Sequence, residues 1–297
     1  MAEETLVHNR RRRIRRLLIG GFVLASAVLF VAAWIVGTEA TRSANRPIGL
    51  PPAELAAKEL SIASESGSQI AAWFSRQENA RATIILLHPI RGSRKSMVER
   101  ALLLRQHGYS TLLIDLQAHG ESPGEHITMG HLERLDVQAA VRFLRDESPE
   151  QKIGVIGWSL GGASALLADL NVDAMILESV FPTFRRAVHN RVQMRLGFLH
   201  YAIAPLLWLQ FRPRLGISVS QLRPLDHIAS LQCPVLIAAG DVDQRCTVEE
   251  SRELFEHAKE PKHWLLFEGA RHEDLFRFDQ ETYSKSVLQF LDESLRN

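Results

Sequence analysis

From Leu17 to Gly37 the chain runs 21 residues, LLIGGFVLASAVLFVAAWIVG, without a charge and without a polar face. As an α-helix rising about 1.5 Å per residue it spans roughly 31 Å, the thickness of a bilayer's hydrocarbon core. A core helix of a globular domain would keep a polar stripe. A cleaved signal peptide would have an apolar region of only about 7–15 residues with a small-residue cleavage site behind it. The one Ala-x-Ala pattern, Ala25-Ser26-Ala27, lies inside the run instead. The pattern predicts a transmembrane helix over 17–37, with a basic tail at 1–16. Residues 38–58 hold Pro47, Pro51 and Pro52 among scattered polar positions and read as a tether.

The pattern then changes period. Segments 59–63 and 69–77 flank Glu65-Ser66-Gly67-Ser68 and predict a hairpin. Short apolar runs follow at Thr83–His88, Thr111–Leu116, Ile153–Trp158, Ala174–Leu177, Pro234–Ala239 and Trp264–Phe267. Runs this uniformly apolar suit strands of a parallel sheet covered on both faces. Between them Leu132, Leu135, Ala139 and Phe143 recur at helical spacing, and Thr247 with Glu250 forms a capping box that opens another helix. Strand–helix alternation of this kind predicts one doubly wound α/β domain over 59–297. The fifty residues from 181 to 230 contain no clear strand, too many for a plain connection. They read as a helical cap inserted over the C-terminal ends of the strands.

Charge adds a direction. The chain carries 35 basic and 34 acidic residues. Six arginines (Arg10 to Arg13, Arg15 and Arg16) and only Glu3 and Glu4 lie in the first sixteen positions. By the positive-inside rule the N-terminus is cytoplasmic and the domain beyond the helix extracytoplasmic. The remainder is slightly acidic, which argues against nucleic acid as a partner. No Cys and His spacing suits a zinc site. Cys233 and Cys246 bracket a predicted strand whose length, roughly 20 Å, exceeds the about 7 Å that a disulfide allows between Cα atoms, so two free thiols are expected.

The chemistry concentrates at KIGVIGWSLGG, residues 152–162. An apolar strand runs into Gly157-Trp158-Ser159-Leu160-Gly161, and a helical segment follows. This is the G-x-S-x-G elbow, in which a strained strand-to-helix turn pushes the serine hydroxyl out of the sheet. A serine nucleophile needs a base, and the base an orienting acid. Downstream, one strand ends in Gly240-Asp241-Val242-Asp243 and the next is followed by Gly269-Ala270-Arg271-His272. Both candidates emerge at the strand edge where the serine emerges, the edge on which open α/β sheets bind ligands.

On GWSLGG at 157–162, GDVD at 240–243, GARHEDL at 269–275 and DLQAHGES at 115–122, the chain resembles the α/β-hydrolase superfamily, in particular its esterases, lipases and serine aminopeptidases. The resemblance covers residues 59–297. It implies an α/β-hydrolase fold with a cap, Ser159 as nucleophile, Asp243 as acid, His272 as base, and no metal or organic cofactor. The oxyanion donors it implies are the backbone N–H groups of Ile90 and Leu160. Here the chain departs from the family, which usually places His-Gly after that strand, whereas this chain has His88-Pro89-Ile90-Arg91-Gly92. Proline lacks an N–H, but the family's donor is the residue after the glycine position, which is Ile90.

Other residues compete. Asp241 is the rival acid, disfavoured because the family's acid falls three residues after the strand-end glycine. His88 reads as a loop support and His119 as a rim residue. Glu178, ending a strand on the same edge, either lines the site or makes a structural hydrogen bond. The expected activity is hydrolysis of a small-molecule ester, its acyl chain lipophilic because Leu196–Phe211 is strongly apolar and the anchor holds the site near lipid. The alternative is a serine aminopeptidase, which needs a carboxylate for the substrate ammonium, with Glu178 and Glu273 as candidates. A non-catalytic binding protein of the same fold is the third reading.

Overall fold

The structure is a computed structural model that describes residues 2–295. Eight strands build its central sheet: β1 (Lys58–Ala63), β2 (Gln69–Ser75), β3 (Thr83–Leu87), β4 (Ser110–Ile114), β5 (Ile153–Trp158), β6 (Ala174–Glu178), β7 (Val235–Gly240) and β8 (Lys262–Phe267). They lie in the order β1-β2-β4-β3-β5-β6-β7-β8. The β1–β2 and β2–β4 pairs are antiparallel and the others parallel. The apolar runs forced this arrangement. All five residues of β3 are buried, and alternate side chains feed two cores. Ile85 and Leu87 join one cluster with residues of α3 (Glu133–Glu147) and α4 (Leu160–Leu167). Ile84 and Leu86 join the other, with α2 (Val98–Gln106) and α11 (Gln280–Leu295). The Thr247–Glu250 capping box opens α9 (Val248–His257).

Between β6 and β7 the cap consists of α5 (Phe184–Leu196), α6 (His200–Trp208), α7 (Phe211–Leu215) and α8 (Pro224–Ile228). The apolar stretch Leu196–Phe211 is therefore two helices and a turn. It divides by face. Ala204 and Phe211 are buried, whereas Phe198, Tyr201 and Leu209 are 81%, 75% and 65% exposed. Those three do not pack on the hydrolase core.

The N-terminal helix α1 (Ala2–Thr41) runs through the basic tail and the apolar stretch without a break. It is the one helix among the described residues long and apolar enough to cross a membrane, and it is almost wholly exposed. The segment after it differs from the expected tether. Ala44 and Asn45 pair in parallel with His119 and Gly120. Asn45 Nδ2 donates to the carbonyls of Gly120 (3.3 Å) and Ser122 (2.6 Å), and Leu55 is fully buried. Composition hid this because the partners are backbone groups of a distant loop.

Glu121 anchors the same segment. Its carboxylate accepts the N–H groups of Ile48 (2.9 Å) and Gly49 (3.3 Å) and pairs with the buried Arg94. These contacts, Arg94 foremost, lower its pKa from 4.5 to about 2. A depressed carboxylate stabilises the fold above its unfolded pKa, and that contribution fades as pH falls toward the folded value. The Tm gap between wild type and Glu121→Gln should be constant above about pH 5.5 and shrink steadily toward about pH 3. A gap that widens on acidification would contradict this linkage.

Candidate active site

Ser159 stands at the junction of β5 and α4 with φ 51° and ψ −108°, a backbone state that L-residues rarely adopt. The neighbouring glycines make the turn possible. A Cβ on Gly157 would lie 2.5 Å from the Gly162 Cα, and one on Gly161 would lie 2.5 Å from the Leu87 carbonyl oxygen. The Ser159 N–H continues the sheet pairing by donating to the Glu178 carbonyl at 2.8 Å. Its hydroxyl is left at the positive end of α4, which favours negative charge.

The structure brings Ser159, His272 and Asp243 together. His272 Nε2 is 3.2 Å from Ser159 Oγ, and His272 Nδ1 is 2.7 Å from Asp243 Oδ2. A carboxylate cannot donate, so Nδ1 carries the proton and Nε2 of the neutral ring is the acceptor for the serine. The other Asp243 oxygen accepts the N–H groups of Arg245 (2.7 Å) and Cys246 (3.0 Å), which fixes the carboxylate's plane. Asp241, the rival, accepts the N–H of Gly269 at 2.6 Å and ties the two loops together. Ser159 is buried and the His272 side chain nearly so, which keeps bulk water from the pair.

The loop that carries Ile90 is held by His88. Burial, with His119 beside it, pushes His88 well below the usual histidine range. Its neutral ring accepts the Leu116 N–H at Nε2 (3.0 Å) and donates from Nδ1 to the Pro89 carbonyl (2.8 Å). The N–H groups of Ile90 and of Leu160, the first residue of α4, have no acceptor among the described residues. Orphan N–H groups of this kind suit a developing oxyanion. Arg91, the next residue, donates to the Glu39 carbonyl at the end of α1, and its own carbonyl accepts from Arg46 at 3.0 Å. Helix α1 thus touches the loop that carries Ile90, a contact that no local sequence signal marks.

One expectation changes, and of the two readings of Glu178 the structural one holds. His119 is a fully buried residue whose Nδ1 bonds the Gln117 carbonyl, not a rim residue, because the segment Arg42–Asn45 covers it. Glu178 points away from the nucleophile into a buried network. Arg100 binds both its oxygens (3.1 and 2.7 Å) and also bonds Asp274 (2.8 Å) and Tyr283 (3.1 Å). Burial works against the Arg100 charge, yet Glu178, Tyr283 and Asp274 hold its proton more firmly than in water. Asp274 caps α10 (Leu275–Phe278) two residues after His272. Sequence reasoning missed this network, since Arg100 and Tyr283 are 183 positions apart.

Asp243, Cys246 and His272 offer ligand atoms within 4.8 Å of one another. Both imidazole nitrogens already have partners in Ser159 and Asp243, and burial raises the Cys246 thiol well above its usual range. Cys233 and Cys246 are both free and buried, with Cys233 pushed up to about 11 by burial. Native protein should react with a thiol reagent at least about 100-fold more slowly than the unfolded chain. Rapid native labelling would show that the β7 flanks open.

Comparison with known proteins agrees with this architecture. Residues 78–210 match the family model "Serine aminopeptidase, S33". The uncharacterised protein YqkD of Bacillus subtilis is 24% identical over 237 residues, covering 78% of both chains. The uncharacterised protein Rv2307c of Mycobacterium tuberculosis is 26% identical over 245 residues, covering 80% of both. The uncharacterised membrane protein YNL320W of Saccharomyces cerevisiae is 23% identical over 190 residues, 59% of this chain and 66% of that one. Among solved structures, the Pyrococcus furiosus esterase Pf2001 superposes with a TM-score of 0.70 at 25% identity, over 86% of this chain and 99% of that one.

Proposed function

We propose that the chain, which is similar over residues 78–210 to the serine aminopeptidase S33 family and has the α/β-hydrolase fold, is a membrane-anchored serine esterase acting on lipophilic acyl esters. One observation carries the reading: the relay from Ser159 Oγ through His272 to Asp243, at 3.2 and 2.7 Å. As Ser159 attacks the ester carbonyl, His272 Nε2 takes its proton, and Asp243 orients the ring and stabilises the imidazolium. The Ile90 and Leu160 N–H groups receive the oxyanion. His272 then protonates the departing alcohol, leaving an acyl-enzyme. Water, deprotonated by the same His272, releases the acid and restores the serine. No step calls on a metal or organic cofactor. The anchor is α1, with the domain outside the cytoplasm by its arginine asymmetry.

The aminopeptidase reading rests on the matched family's description. It lacks an evident ammonium site, because Glu178 is consumed by Arg100 and Tyr283, and Glu273 is exposed and bonded to the Arg271 N–H at 2.9 Å. A panel of p-nitrophenyl esters from acetyl to long acyl, run beside aminoacyl anilides, decides between them. Catalytic efficiency should rise about tenfold or more from acetyl to medium chains, at roughly 0.8 kcal/mol per methylene removed from water. Anilides faster than every ester would overturn the esterase assignment. A folded wild-type protein that a fluorophosphonate probe fails to label would overturn catalysis by Ser159 altogether.

A further inference from the structure

We infer that the outer face of the cap is itself a membrane-binding surface, seated on the anionic headgroups of the bilayer that α1 crosses. The inference rests on α1 being a membrane span and goes further by fixing how the domain lies on the lipid.

Two independent observations carry it. The first is where the cap touches the anchor. Helix α6 packs against α1. Gln210 Nε2 donates to the Ala33 carbonyl at 3.0 Å, and Arg214 donates to the Trp34 carbonyl at 2.7 Å and to the Thr38 hydroxyl. The Arg214 guanidinium also lies 4.4 Å from the Trp34 ring centroid. Gly37 allows this approach, since a Cβ there would lie 2.2 Å from the Gln210 side-chain oxygen. Ala33 to Thr38 is the outer end of the apolar stretch, the level at which a spanning helix leaves the hydrocarbon, and Trp and Arg are the side chains suited to that level. With Ala44 and Asn45 sewn into the body directly after α1, no slack exists to lift the cap away.

The second is the chemistry of the face. Residues 181–230 hold seven arginines and one acid, Asp226, whereas the chain as a whole is balanced. Beside the exposed Arg195 and Arg212 stand the exposed Leu196, Phe198, Leu199, Tyr201 and Leu209. Neither arginine has an ion pair among the described residues. An apolar face edged by arginine fits an anionic lipid interface: the rings enter the headgroup–acyl boundary while the guanidiniums meet phosphate. A second protein copy would have to occupy the same side of α1, where the bilayer surface already lies. The capped site would then face lipid and draw substrate from the membrane plane.

The test uses the full-length chain in nanodiscs of phosphatidylcholine and phosphatidylglycerol. An environment-sensitive fluorophore is placed on Phe198→Cys, Leu209→Cys, Ser26→Cys within the span, or Glu150→Cys at the opposite strand edge. The buried native thiols stay unlabelled. Spin-labelled lipids should quench positions 26, 198 and 209 at least threefold more than position 150. The double reversal Arg195→Glu, Arg212→Glu should at least halve quenching at 198 and leave position 26 unchanged. Quenching at 26 without quenching at 198 and 209 overturns the inference and leaves the span standing. Absence of quenching at 26 overturns the span and the inference together. A blue-shifted but unquenched label at 198 means that protein covers the face, and this also overturns it. Unchanged quenching in the double reversal overturns the role of anionic headgroups.

Discussion

Ser159→Ala should lower kcat on p-nitrophenyl esters by about 10⁵- to 10⁶-fold, with KM little changed and fluorophosphonate labelling abolished. The reason is the single route for the proton: His272 Nε2 is bonded to Ser159 Oγ, and Asp243 occupies the other nitrogen. His272→Ala should cost a similar factor, and the double variant no more than either alone, since the two act as one unit. Asp243→Asn should cost about 10⁴-fold, because an amide in that position favours the wrong imidazole tautomer. The residual rate in each case reports the oxyanion donors and binding alone. Steady-state kinetics on protein of unchanged Tm reads all four numbers. Retention of activity within tenfold in Ser159→Ala would remove Ser159 from the chemistry.

The second large effect is on stability. Arg100→Ala should destabilise the fold by about 3–5 kcal/mol, because it strands the Glu178 carboxylate, which has no exposed surface, against the Tyr283 hydroxyl. For a domain of this size that corresponds to a Tm fall of roughly 10 °C. Exchanging both partners for apolar residues, as in Arg100→Met with Glu178→Met, should recover much of the loss, since no buried charge remains. Activity should fall further than stability alone explains. Arg100 also holds Asp274, which caps the helix next to His272, and Glu178 receives the Ser159 N–H on its backbone carbonyl. Thermal unfolding of the single and double variants decides. A single variant within about 1 kcal/mol of wild type would show that water reaches the network.

The proposed triad was legible because each member carries a local signal. The glycines of the elbow record a steric demand within five positions, and Asp243 and His272 each follow directly on an apolar strand. Ile90 is proposed only by resemblance, since Pro89 obscures the loop that His88 in fact supports. The strands differ from expectation by a residue or two at most of their ends, because burial and pairing stop at different residues: His88, Asp115 and Leu116 are buried beyond the last paired positions, whereas pairing runs on into the exposed Lys58. His119 and the segment after α1 were misjudged for one shared reason: their partners lie far away in the chain and include backbone groups that composition cannot register.

The amino-acid order by itself therefore determined what depends on neighbours. That includes strand–helix alternation, the long apolar helix with its basic flank, and the chain order of the proposed nucleophile, acid and base. Tertiary structure alone decided which charges are buried together, whether the tether is slack or docked, and which side of the apolar cap faces outward. Those outcomes are set by long-range packing, in which a carboxylate such as Glu178 takes whichever cation the folded sheet brings to it. An exposed Phe198 and a buried Phe211 differ in nothing that their flanking residues reveal. They differ in what the fold places above them.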